Sequence, residues 1–349
     1  MTGALFHPFA SPARTDWIDV VRGEGALIWD SDGKEYIDAT ASLWYCNAGH
    51  GRHEIIDAVT AQMRELDAYH LFDPFTNPAA DAVAERIAGI TPVERARVFL
   101  CSSGSEAVDS AMKLARLAQV RAGHPERTVI ISRQRGYHGT NYGGTSAQCL
   151  PPNKEGYGEL LAEVIQVDAD DSESLSRAML DHEGRVAAVL TEPVQGAAGV
   201  YPPLPGYLEE TRRLCDQHGA FLVFDEVITG FGRLGPWFAA DHYGVLPDLT
   251  TFAQGVTSGY QPLGGVILAP TVHEPLASDP AFVLRHGYTY SGHPAACAAG
   301  LANIDILEGL LGEAERIGAQ MRDGFEALRD DGAVEEVRGI GAMFGLRIE

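Results

Sequence analysis

Phe221-Leu222-Val223-Phe224-Asp225-Glu226-Val227 is a four-residue apolar run that ends in two carboxylates. No polar residue alternates into the run, so it reads as a strand covered on both faces, with the acidic pair delivered at its carboxyl end. Just before it, residues 207–218 place Leu208, Leu214 and Cys215 on one helical face. The same alternation continues in both directions. Strands are expected at 96–100, 128–132, 163–168, 186–191, 221–225, 249–252 and 264–269, with helices at 106–121, 172–182 and 207–218 between them. This order specifies an α/β fold with one large, mainly parallel, seven-stranded sheet covered by helices.

The two ends read differently. Residues 26–29, the turn Asp30-Ser31-Asp32-Gly33 and residues 36–38 form a predicted β-hairpin outside the large sheet. Ile55, Ile56, Val59, Met63 and Leu66 then mark an amphipathic helix. Towards the other end, 295–329 reads as helical and 333–337 and 343–348 as strands joined through Arg338-Gly339-Ile340-Gly341. A small α+β domain built from both termini is therefore expected, with 1–45 as its first part, 46–293 as the large domain and 294–349 as its second part.

The chain has 349 residues and a formal net charge of −22. That charge repels phosphate backbones and anionic lipid, and no local basic patch offsets it, so neither a nucleic-acid nor a membrane partner is expected. The longest apolar runs are strand-sized, and residues 1–16 lack the pattern of a secretion signal, which makes the cytoplasm the expected location. Cys46, Cys101, Cys149, Cys215 and Cys297 lie far apart and are read as forming no CxxC or Cys/His metal pattern. They read as buried thiols in a reducing compartment, with no metal expected. Lysine is scarce, with Lys34, Lys113 and Lys154 the only three.

Several strand ends carry candidate chemistry. Ser102-Ser103-Gly104-Ser105-Glu106 follows a strand and opens a helix, where backbone N–H groups and the helix dipole favour an anion such as phosphate. A Ser/Gly turn in this position is otherwise a simple cap. Gly136-Tyr137-His138-Gly139 follows the next strand and offers an aromatic face beside glycines. Asp225 could hold a pyridine nitrogen protonated, and without further context it could equally be a helix cap.

Taken in order, these pieces resemble the class III pyridoxal-phosphate (PLP) aminotransferases of fold type I, especially the ω-aminotransferase branch. The resemblance runs from about Gly23 to the end. It includes Leu43-Trp44-Tyr45, Ser103 to Glu106, Tyr137-His138-Gly139, Thr191-Glu192-Pro193-Val194-Gln195-Gly196, Asp225-Glu226-Val227 and Tyr288-Thr289-Tyr290-Ser291-Gly292-His293-Pro294. It implies that Ser103, Gly104 and Ser105 hold the cofactor phosphate, that Tyr137 and Val227 cover the two ring faces, and that Asp225 pairs with the ring nitrogen. His138 and Glu192 would line the same site, and Thr289 would reach the cofactor of the partner subunit in a homodimer with shared active sites. Trp44, Phe72 and Phe75 would shape the pocket for an amino donor and a 2-oxo acid acceptor, although core packing accounts for Trp44 equally well.

Two departures accompany the resemblance. Pro247-Asp248-Leu249-Thr250-Thr251-Phe252-Ala253-Gln254-Gly255 matches the stretch that carries the family's Schiff-base lysine, and Gln254 stands in the lysine's place. A carboxamide is neither nucleophilic nor basic near neutral pH, so amino transfer is expected to be impaired. Family members also continue past the 339–348 pattern, so the resemblance implies an incomplete C-terminal part of the small domain. The alternatives are a non-catalytic paralogue or decayed copy, or a sister PLP enzyme such as an aminomutase.

Overall fold

The computed structural model describes residues 4–348. It begins with three short antiparallel strands, β1 (Val20–Glu24), β2 (Leu27–Asp30) and β3 (Glu35–Ile37). The expected hairpin is β2–β3, and β1 is an addition to it. β1 is almost wholly exposed, so it carries no alternating pattern that marks it in the sequence. Asp30 fastens the hairpin turn by accepting from the N–H groups of Asp32 and Lys34 and from the Tyr36 hydroxyl at 2.7 Å.

The large sheet contains β4 (Arg97–Cys101), β5 (Val129–Arg133), β6 (Val164–Val167), β7 (Val186–Thr191), β8 (Phe221–Asp225), β9 (Leu249–Phe252) and β10 (Gly264–Leu268). Their spatial order is β4-β10-β9-β8-β7-β5-β6, which puts the Phe221 run in the middle. All neighbours are parallel except β10, which runs antiparallel to both β9 and β4. The connection 253–263 is too short for a crossover and simply turns the chain back.

β8 shows how the layers are sorted. Leu222 and Phe224 belong to the core under helices Tyr207–His218 and Pro294–Glu308, whereas Val223 belongs to the core under helix Gly104–Arg121. Successive side chains point to opposite faces, and both faces are apolar because both are covered. Helix Pro294–Glu308 also packs on helices His53–Glu65 and Pro78–Ile90. Its Ala, Cys, Gly, Leu and Ile residues face these neighbours, while Asp305 and Glu308 stay on an exposed edge.

The helical stretch expected over 295–329 is divided into two helices. Pro294–Glu308 and Glu313–Asp330 are bent by 66° at a break where Gly312 adopts φ +88°, a left-handed conformation that favours glycine. The last two strands, β11 (Glu336–Ile340) and β12 (Met343–Arg347), form an antiparallel hairpin whose first strand lies a few residues later than expected. Arg338 docks it by donating to the Gly199 carbonyl at 2.9 and 3.1 Å, and Met343 is wholly buried with Val194, Val200 and Leu234. Among the cysteines Cys101, Cys215 and Cys297 are buried, but Cys46 and Cys149 are only partly so, which corrects the reading of all five as buried. Among the described residues no single helix is long and apolar enough to cross a membrane.

Candidate active site

A cavity of about 750 Å³ opens where the parallel strands end. The residue sets that follow β4, β5, β7, β8 and β9 all reach it: Ser102 to Ser105, Tyr137 to Gly139, Glu192, Asp225 with Val227, and Gln254. Parallel α/β sheets place ligand sites at the carboxyl ends of their strands because loops converge there and helices begin there.

The turn after β4 starts an 18-residue helix. Ser103 is its N-cap, its hydroxyl accepting from the Glu106 N–H at 3.2 Å, while the Glu106 carboxylate accepts from the Ser102 N–H at 2.8 Å. The caps thus occupy those groups and leave the first-turn N–H groups of Gly104 and Ser105 free of intrahelical partners beside the cavity. Position 104 is tight, since a Cβ there would lie 3.0 Å from Val227 Cγ1. Gly139 is the second such position. It has φ +85°, and a Cβ would lie 2.5 Å from Ser105 Oγ, so the Tyr137 loop is pressed against the turn.

Glu192 is a fastener. One carboxylate oxygen accepts from the Tyr137 N–H and the other from the Gly196 N–H, both at 2.9 Å. Its carboxyl pKa is pushed up to about 7, chiefly by burial, with the Asp225 carboxylate adding to the effect and His138 opposing it. The Tyr137 ring is half-buried, and burial also raises its phenol pKa.

Asp225 is 5% exposed and holds three donors. Thr251 Oγ donates to Oδ1 at 2.9 Å, the Val227 N–H lies 3.3 Å from the same oxygen, and His138 Nδ1 is 2.8 Å from Oδ2. His138 is fully buried, and its other ring nitrogen has no partner among the described residues. The neighbouring Glu226 turns away to cap helix Ala239–Tyr243, accepting from the N–H of Ala240 at 3.0 Å and from Thr229 Oγ at 3.1 Å. The acidic pair therefore divides into a carboxylate facing the cavity and a structural one.

Gln254 begins a single 3₁₀ turn after β9 and itself has φ +52°. Its amide nitrogen donates to the Leu43 carbonyl at 2.8 Å, and its amide oxygen is buried without a partner among the described residues. No lysine lines the cavity. Lys113 Nζ is 2.9 Å from His286 Nδ1, Lys154 Nζ donates to the Ser146 carbonyl at 3.1 Å, and Lys34 lies over the Tyr36 ring.

Leu43-Trp44-Tyr45 lines the cavity beside Gln254. Trp44 serves two roles, since it lines the cavity and also packs against the cluster of Val194, Val200, Leu234 and Met343. Phe72, Phe75 and Thr289 do not reach this cavity within one chain. The two phenylalanines are about half exposed, and Thr289 sits in an exposed turn held beside them by Asn77, which donates to the Gly292 carbonyl at 3.0 Å. Two features of the site have no sequence signal, namely the Thr251 hydroxyl on Asp225 and the Leu43 carbonyl on Gln254. Threonine on a buried strand reads as packing, and a main-chain carbonyl is present at every residue.

The sequence model of the family described as Aminotransferase class-III matches residues 9–349. The chain belongs to that family. It is 36% identical to the β-alanine–pyruvate aminotransferase of Pseudomonas aeruginosa over 353 residues, covering 94% of this chain and 79% of the relative. It is 38% identical to an ω-aminotransferase of Caulobacter vibrioides, covering 91% and 77% respectively. Among solved structures, an amine transaminase from an uncultivated Pseudomonas species in its PLP-bound form superposes with a TM-score of 0.93 at 37% identity, over 97% of this chain and 83% of that one. This class III aminotransferase is ω-transaminase-like, has PLP fold type I, and has pyridoxal 5'-phosphate as its cofactor.

The residues present fit a phosphate-bearing pyridine held without a covalent bond. Two free N–H groups of a long helix face the cavity, a buried carboxylate stands at the end of β8, and Val227 lies against Gly104. The cavity wall does not supply a primary amine.

Proposed function

We propose that this aminotransferase handles an amine or ω-amino acid donor and a 2-oxo acid acceptor, and that Gln254 leaves its amino transfer strongly impaired. The observation that carries this reading is the amide of Gln254 bound to the Leu43 carbonyl at the cavity, with all three lysines engaged elsewhere. Relatives named for β-alanine, putrescine and pyruvate support the substrate class.

In this reading the Gly104 and Ser105 N–H groups, after the Ser103 cap, bind the phosphate, and Tyr137 and Val227 bracket the ring. Asp225 holds a proton on the pyridine nitrogen, with His138 and Thr251 orienting its two oxygens, and Glu192 fixes the Tyr137 loop. PLP supplies an electron sink for the carbon that exchanges its proton. A lysine at 254 would both bond the cofactor and shuttle that proton. The carboxamide does neither, and loss of the shuttle alone costs on the order of 10²–10⁴ in rate. Trp44 forms one wall of the substrate pocket. Phe72, Phe75 and Thr289 act across a homodimer interface, where the exposed Thr289 turn would meet the partner's cofactor. The unpaired cysteines support a cytoplasmic setting.

The test is Gln254→Lys. The variant is expected to gain a visible absorbance band with PLP, to retain cofactor covalently after borohydride reduction, and to transaminate pyruvate with an amine donor. The unaltered chain should bind PLP reversibly, and reduction should fix none to it. The non-catalytic reading is favoured by the engaged Gln254 amide. It wins if Gln254→Lys binds cofactor but forms no adduct.

A further inference from the structure

Asp38, Cys46 and His50 offer ligand atoms that all lie within 4.8 Å of one another, on the segment that brackets the cavity wall Leu43-Trp44-Tyr45. We propose that these three residues bind zinc or another borderline-soft divalent cation, which clips residues 38–50 into the shape that forms the wall. A carboxylate oxygen, a thiolate and a neutral imidazole are a donor set that zinc takes in tetrahedral sites, and the two anionic ligands balance the charge of the ion.

The geometry is prepared for this without the ion. His50 Nε2 stands 2.8 Å from Asp38 Oδ2, and the Asp38 carboxylate is 6% exposed. Both Asp38 oxygens accept from the Ser42 N–H at 2.8 Å, which fixes the plane of the carboxylate. The His50 ring is fixed from behind, because a Cβ on Gly23 would lie 2.7 Å from His50 Cγ and His50 pairs with Gly25 in an antiparallel bridge. Ser42 Oγ, 3.0 Å from Asp38 Oδ2 and 3.4 Å from His50 Nε2, or a water adjoins the group as a fourth ligand. Ligand orientation set by such outer contacts is a general property of metal sites.

The segment also has a use for a clip. Ala41, Ser42 and Trp44 all have positive φ, at +47°, +61° and +65°, and non-glycine residues hold such a conformation only where the surroundings over-determine it. The Leu43 carbonyl within this stretch accepts the amide of Gln254. Asp38 lies eight residues before Cys46 and His50 four residues after it, and the chain folds back to bring the three together. Binding forms the metal–sulfur bond as the Cys46 thiol proton leaves to solvent, so affinity falls as pH is lowered.

Cobalt(II) titration of the metal-free chain tests the proposal. About one equivalent should give a near-ultraviolet thiolate-to-cobalt charge-transfer band with the visible bands of a tetrahedral ion, and zinc should displace it. Cys46→Ser should lose the charge-transfer band, and His50→Ala should weaken binding by at least about tenfold, the least that loss of even an outer-shell partner costs. Zinc should raise Tm in the unaltered chain and leave Cys46→Ser unchanged. If Cys46→Ser does not fold, Cys46→Ala is read by the same band. Absence of the band from the unaltered chain at stoichiometric cobalt, or its persistence without the Cys46 sulfur, overturns the proposal. In either case Asp38 and His50 are a hydrogen-bonded pair only.

Discussion

Glu226 is the less conspicuous member of the acidic pair and the easier one to test. Burial pushes its carboxyl pKa up to about 7 despite the N–H donors of helix Ala239–Tyr243. A raised folded-state value means that the native chain holds a proton which the unfolded chain releases, so this stabilisation is complete below about pH 4.5 and is lost as pH rises to about 7. Urea unfolding across that range should show the unaltered chain losing up to about 3 kcal/mol more than Glu226→Gln, which has no proton to lose. Asp225 calls for a different experiment. In a Gln254→Lys background, Asp225→Asn should still bind PLP by absorbance titration yet transaminate roughly 10²–10⁴-fold more slowly, because a neutral amide no longer holds the ring nitrogen protonated. Undiminished turnover would remove Asp225 from that role.

Helix Gly104–Arg121 joins the fold to the site, since one face fills the core under Val223 and its first turn borders the cavity. Ser103→Ala should cost about 1 kcal/mol in chemical unfolding through loss of the cap. It should also weaken PLP binding, because the cap sets the direction of the Gly104 and Ser105 N–H groups. The start of this helix was legible, as were all seven strands of the large sheet, because uninterrupted apolar runs and capping residues act locally. The reversal of β10 was not, for direction depends on what fills residues 253–263 rather than on the composition of the strand. β1 and the break at Gly309–Gly312 were missed for a related reason. One strand is too exposed to carry a pattern, and isolated glycines are tolerated in many helices. At the site, Gln254, Asp225 and the Ser103 turn stood out by motif, whereas the cluster of Asp38, Cys46 and His50 exists only once the loop has folded back on itself.

On the scale of the molecule, Tyr69, Phe72, Phe75 and Tyr290 are each about half exposed or more, and Asn77 ties their two segments together. An aromatic patch of this kind suits an isologous contact in which each copy presents the same surface. Light scattering should therefore find a homodimer, and Phe72→Asp should shift it towards monomer and weaken cofactor retention; a compact, cofactor-binding monomer from the unaltered chain would refute the shared site. The sheet order has its own bearing on how the protein comes into being. Among the described residues β4 is an edge strand whose only ladder partner is β10, with Cys101 opposite Gly264. During synthesis the turn after β4 emerges early and must wait, its ladder unmade, until the chain beyond position 254 has left the ribosome. The phosphate turn and the position that faces it thus become ordered in one late closure, so a nascent chain has little to offer the cofactor before nearly the whole sheet exists.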